Sequence, residues 1–123
     1  MTALEVVHEF WRLMGTNDFQ AVGAVLSDDS HLEYPLSNER IVGRVNVAGM
    51  NAEYPAHGPW RFSLNRAVAT ESEVVTDGLI VARAITFSTV RNGQITRQVE
   101  FWPETTGAPA NRSHWVEPIR SND

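Results

Sequence analysis

The stretch Ala84–Trp102, AITFSTVRNGQITRQVEFW, decides the fold. Its two halves are rich in Val, Ile, Thr, Phe and Trp and alternate with a period of two, as strands buried on one face do. Between them stands Arg91-Asn92-Gly93. Asn-Gly is the dipeptide favoured where a tight hairpin needs positive φ at both turn positions. The spacing therefore predicts strands over Ala84–Val90 and Gln94–Trp102, joined by that turn.

Working back toward the N-terminus, Trp60–Ala69 and Val74–Val81 have the same strand composition. The turn before Ala84 has two readings. Asp77-Gly78 has the local chemistry of a turn, whereas a turn near Val81-Ala82-Arg83 gives strands of better-matched length. Before Trp60 the period is helical. Ala3, Val6, Val7, Phe10, Leu13 and Met14 follow one helix face, with Thr2 as cap and Gly15 as the closing residue. Asp18 is placed to cap a second short helix whose Phe19, Val22, Val25 and Leu26 face the core and which ends near Ser27–Asp29. His31–Tyr34 reads as a short strand stopped by Pro35, Leu36–Val42 as a polar loop, and Arg44–Glu53 as a third, weaker helix. Pro55–Pro59 is a loop rich in Pro and Gly. The tail after Pro103 is irregular, and Trp115 and Val116 predict that it folds back onto the body. Helices followed by a long sheet make an α+β arrangement, with about three N-terminal helices covering one concave face.

Composition excludes several function classes. The chain has 123 residues, 42% hydrophobic and 20% charged, which predicts one globular domain over 1–123. Its formal net charge is −5 and no basic cluster is present, so nucleic acid is not expected as a partner. No run reaches about 18 apolar residues and the start lacks a signal-like pattern, which predicts a cytoplasmic protein with no membrane partner. The sequence contains neither Cys nor Lys, which removes thiolate and Schiff-base chemistry. His8, His31, His57 and His114 are dispersed without metal-ligand spacing, so neither a metal nor another cofactor is expected.

Ser27–Pro35, Gly43-Arg44 opening a helix, Arg91–Ile95 and Glu100-Phe101-Trp102 together resemble the nuclear transport factor 2-like (NTF2-like) superfamily. The resemblance is greatest to its SnoaL-like branch, which includes relatives of polyketide cyclases. Tyr54-Pro55, Pro59–Phe62 and Ala108–Glu117 resemble bacterial members of that branch without an assigned function. The resemblance implies a cone-shaped, curved antiparallel sheet with helices over an apolar pocket, a cystatin-like α+β barrel. A fold carries many chemistries, so each activity is tested on its residues. Ketosteroid isomerases belong to the same neighbourhood, and their general-base segment aligns with Ser27–Gly43. Their base aspartate falls at Tyr34, their oxyanion-hole tyrosine at Phe10, and their protonated aspartate at about Thr86. None of these supplies the required group, which argues against that mechanism.

The resemblance also implies that Gln98, Glu100 and Trp102 face the pocket while Arg97, Val99 and Phe101 face away. Glu100 is then the first candidate for a general base, because an apolar cavity disfavours its charged form. The other reading pairs it with an Arg such as Arg61 or Arg66. Tyr34 is a candidate for orienting a ligand carbonyl or hydroxyl, or else fills space as a core aromatic. Asp77 is a second acidic candidate if it is not a turn former. Phe10, Met14, Met50, Tyr54, Trp60, Thr86 and Trp102 are expected around the pocket, with His57 at its mouth. The expected partner is a small apolar molecule. Two function classes follow: cofactor-free acid-base catalysis, or a non-catalytic ligand-binding or dimerisation domain. Ile85, Phe87, Val99 and Phe101 would form an apolar outer sheet face, which predicts a homodimer.

Overall fold

Thr2 starts the first helix through reciprocal bonds. Its hydroxyl accepts from the Glu5 backbone N–H, and the Glu5 carboxylate accepts from the Thr2 N–H, a capping box. The helix that follows in this computed structural model, α1 (Ala3–Gly15), buries Ala3, Val6, Val7, Phe10, Trp11 and Met14. The model describes residues 1–54, 59–80, 82–104 and 106–119. Gly15 does not end α1 by a left-handed turn. That conformation falls to Asn17, with φ of 63°, a residue type whose short amide tolerates it.

The second helix is shorter than its spacing predicts. A 3-10 turn covers Ala21–Val25, and Leu26 already begins β1 (Leu26–Tyr34). Val22, Val25 and Leu26 are still buried. The segment read as a polar loop holds a 3-10 turn at Pro35–Ser37 and an edge strand, β2 (Glu39–Val42). Its side chains are largely exposed, so no alternation marks it in the sequence. Gly43, at φ 88°, then redirects the chain into α2 (Arg44–Glu53). The remaining strands are β3 (Ser63–Ala69), β4 (Glu73–Leu79), β5 (Arg83–Arg91) and β6 (Gln94–Phe101). Asn92 and Gly93 have φ of 53° and 75° at the predicted hairpin.

The six strands make one sheet in the order β2-β1-β6-β5-β4-β3. Four of the five strand pairs are antiparallel, and β1 runs parallel to β6. Register shifts interrupt the β1–β6, β3–β4 and β5–β6 ladders, and such bulges bend a sheet. The α1 face closes the core on the concave side together with Leu32, Val47, Val74, Val90 and Ile95. This is the expected α+β arrangement of helices over a curved sheet.

Asp77-Gly78 is not a turn. Both residues lie inside β4, opposite Ile85 and Ala84 of β5. Glycine at 78 has a packing reason: a Cβ there would lie 3.1 Å from the Ser63 carbonyl and 3.2 Å from Leu64 Cδ2. The predicted return of Trp115 and Val116 onto the body is not observed. They are 86% and 49% exposed, and a 3-10 turn at Ala110–Arg112 is the tail's one described helical element.

Candidate functional site

Between the concave sheet face, α1 and α2 lies a cavity of about 890 Å³. Phe10, Trp11 and Met14 reach it from α1, Leu32 and Tyr34 from β1, and Val47, Met50 and Asn51 from α2. β6 contributes Gln98 and Glu100, and Trp102 follows the strand. Its deep wall is mostly buried apolar surface. Around the mouth stand the exposed side chains of Leu36, Glu39, Tyr54, Glu104 and Thr106. An apolar concavity with a few convergent polar groups is the usual form of a small-molecule site.

The pairing of β5 and β6 settles which side chains share a face. Thr76, Thr86 and Glu100 lie in line across β4, β5 and β6, and Ser88 lies beside Gln98. Glu100 is 8% exposed. Its Oε1 accepts the indole N–H of Trp102 at 2.9 Å, and its Oε2 accepts the Thr86 hydroxyl at 2.8 Å. None of the ion pairs among the described residues includes it. Arg66, one of its suggested partners, sits 3.6 Å from Asp77 instead. Desolvation pushes the Glu100 carboxyl above its ordinary value, and the two donated hydrogen bonds offset only part of that. Gln98 donates to the Ser88 hydroxyl at 3.1 Å, which anchors the next rung of the wall.

Tyr34 lines the same cavity. Among the described residues its hydroxyl has one contact, a long one of 4.0 Å to Met50 Sδ. Burial first, and the Glu100 carboxylate second, push the phenol up, so Tyr34 remains a proton-bearing donor at neutral pH. Phe10 also lies in the wall, and Thr86 lies behind Glu100. These are the three positions aligned with the ketosteroid isomerase groups, and none bears a carboxylate.

Asp77 is corrected as a site residue. It aligns with Ile85 and Phe101, on the sheet face opposite Glu100. Arg83 grips it with two bonds of 2.9 Å, holding its carboxyl below the usual carboxylate range. Asp77 and Glu100 therefore do not share a cavity. His57 lies outside the described residues. Met14, Met50, Tyr54, Trp60 and Trp102 lie on the cavity lining, whereas Thr86 is not among its described lining residues.

Two contributors carry no signal in the sequence: Asn17, which holds a wall residue in place, and Trp11, which lies in the wall. Asn17 clamps Trp60: its Oδ1 accepts the Trp60 N–H at 2.7 Å and its Nδ2 donates to the Trp60 carbonyl at 2.9 Å. Trp60 in turn meets Tyr54 edge-to-face at 4.8 Å and Phe19 at 5.9 Å. Only its left-handed φ distinguishes Asn17, and no spacing rule connects it with a residue 43 positions away. Trp11 reaches the wall from the α1 face, but its N–H is closed off from solvent and has no acceptor among the described residues. Among the described residues no group of three His, Asp or Glu side chains could hold a metal ion.

No family model and no curated protein matches the chain. Solved structures do. A ketosteroid isomerase candidate from Kribbella flavida DSM 17836 superposes with a TM-score of 0.87 at 25% identity, covering 95% of this chain and 89% of that one. An NTF-2 like protein of unknown function from Burkholderia xenovorans LB400 superposes with a TM-score of 0.80 at 27% identity, covering 96% and 95%. The fold is NTF2-like. A Mycobacterium tuberculosis protein of the same fold, solved with estradiol-17beta-hemisuccinate, has a TM-score of 0.70 at 17% identity and covers 84% and 95%. At least one protein of this fold thus holds a small ligand. No described helix of this chain is long and apolar enough to cross a membrane.

Proposed function

We propose that this chain is a single-domain, cytoplasmic small-molecule enzyme of the SnoaL-like branch, performing cofactor-free acid-base chemistry on a largely apolar carbonyl-, hydroxyl- or epoxide-bearing substrate. One observation carries the reading: a carboxylate, Glu100, is buried on the wall of an apolar cavity with no cation beside it among the described residues. A general base works best when its pKa lies near the operating pH, and burial moves Glu100 in that direction. Trp102 and Thr86 hold its two oxygens in place while leaving lone pairs unused, since an ionised carboxylate accepts at about four sites. In this reading Glu100 takes a proton from the substrate or from an attacking water. Tyr34 donates its O–H to the substrate oxygen, where charge grows in the transition state.

Native mass spectrometry of the purified protein identifies any co-purified molecule, which then serves as substrate or lead. Parent protein is expected to turn over a compound of this class, and Glu100→Gln is expected to bind it without turnover. A Glu100→Gln variant that keeps full turnover overturns the catalytic reading. So does one destabilised by the about 3 to 5 kcal/mol expected when a buried ion pair is broken. Binding without turnover in the parent leaves the non-catalytic ligand-binding domain as the better account.

We further propose a homodimer through the convex sheet face. Phe87 and Phe101 meet there edge-to-face at 6.1 Å, beside Ile85 and Val99. Arg97 and Arg40 at Glu33, and Arg83 and Arg66 at Asp77, ring this patch with charge. An apolar centre with a charged rim is the anatomy of a protein interface.

A further inference from the structure

The wall of the cavity is one-sided in charge. Every formally charged side chain on its described lining is a carboxylate: Glu100 inside, and Glu39 and Glu104 at the mouth. None of the nine arginines among the described residues reaches that lining, although Arg is the chain's only basic residue besides His. Four of them are held on the opposite sheet face, around Glu33 and Asp77. The second feature is aromatic. Tyr54 and Trp60 stand edge-to-face at 4.8 Å, and both line the cavity together with Trp102. An aromatic face carries the negative end of a quadrupole and attracts cations, most strongly where water is excluded.

From this asymmetry we infer that the natural ligand is an organic cation, an amine or quaternary ammonium group on an apolar body. The inference rests on the cavity being a small-molecule site, as proposed above, and adds the ligand's charge. A buried carboxylate is costly unless a counter-charge accompanies it. The described residues supply Glu100 with two neutral donors and no cation, so an ammonium group completes the site. Anionic ligands meet repulsion from all three carboxylates. Neutral ligands gain the apolar contact but leave the carboxylate without a counter-charge and the aromatic faces without a cation. The mouth carboxylates also raise the local concentration of cations before they enter, an effect that added salt weakens.

The test compares three benzyl probes on the whole protein: benzyltrimethylammonium, its uncharged isostere neopentylbenzene, and the smaller anion phenylacetate. Binding is followed by fluorescence of the wall tryptophans and by calorimetry. The cation is expected to bind at least about tenfold tighter than neopentylbenzene, with phenylacetate weakest. Glu100→Gln is expected to remove most of that preference. Because Glu100 is buried, a second variant with Glu39→Gln and Glu104→Gln changes only exposed residues. It is expected to weaken the cation severalfold and leave neopentylbenzene unchanged. Equal or tighter binding of neopentylbenzene overturns the inference and leaves an apolar small-molecule pocket standing. Failure of all three probes to bind counts against the pocket reading as well. A charge preference that survives in both variants also overturns the inference, since its source then lies elsewhere.

Discussion

Glu100 sits where two opposing effects meet, and their balance can be measured. Burial raises its pKa, while the Thr86 hydroxyl and the Trp102 indole favour the ionised form and lower it. Thr86→Val keeps the β-branched shape and removes one donor. A hydrogen bond to a charged group favours the ionised form, so losing this one should raise the Glu100 pKa further. Carboxyl NMR titration of parent and variant reads this directly, and an unchanged pKa rules out the Thr86 bond as a determinant. The raised pKa also has a sign in stability. Between the unfolded value and the folded one, the native state binds a proton that the unfolded chain has lost. The stability contributed by neutral Glu100 is thus complete below about pH 4.3 and is lost as pH rises through the folded pKa. Glu100→Gln cannot ionise, so it should match the parent in acid and be at least as stable at neutral pH. Denaturant melts across that pH range check both ends.

The β5–β6 hairpin determines which side chains the cavity receives, because its turn and the register shift between Thr89 and Val90 together place Thr86 beside Glu100. Asn92 and Gly93 both take positive φ there, and a Cβ at Gly93 meets no neighbour within 4 Å. Gly93→Ala therefore isolates backbone strain from packing. It should cost about 1 to 2 kcal/mol, seen as a lower denaturation midpoint with an unchanged slope. Gly78 differs: its φ is ordinary, and the Ser63 carbonyl and Leu64 crowd the position. The same type of residue thus serves a turn in one strand pair and close approach in another.

At the scale of the whole molecule, the two sheet faces divide the work. The concave face holds the carboxylate and the aromatic wall, and the convex face holds Phe87, 36% exposed, among ion pairs. Sedimentation at micromolar concentration should show a dimer, and Phe87→Glu should shift it to monomer by placing a charge at the centre of the patch. Parent protein that sediments as a monomer removes the interface. The Phe87→Glu variant should still bind the pocket ligand, since the substituted side chain lies on the other side of the sheet.

The sequence by itself determined the parts that local physics controls. The α1 stripe, the Thr2 cap and the Asn92-Gly93 turn follow from spacing and backbone preference within a few residues. Alternation along β6 then put Glu100 and Trp102 on one face and Val99 and Phe101 on the other. Tertiary structure decided what depends on distant partners. β2 is a short polar edge strand whose only strand partner is β1, so nothing in Glu39–Val42 announces it. The parallel β1–β6 pairing joins segments separated by most of the chain. Asp77-Gly78 has the chemistry of a turn, yet the β3 and β5 ladders and the close approach of Leu64 keep it in a strand, on the face that denies Asp77 the cavity. The Asn17 clamp on Trp60 and the one-signed charge of the wall likewise exist only once the chain has closed. A periodic pattern tells which way a side chain points, but its electrostatic surroundings are set by residues that no local pattern connects.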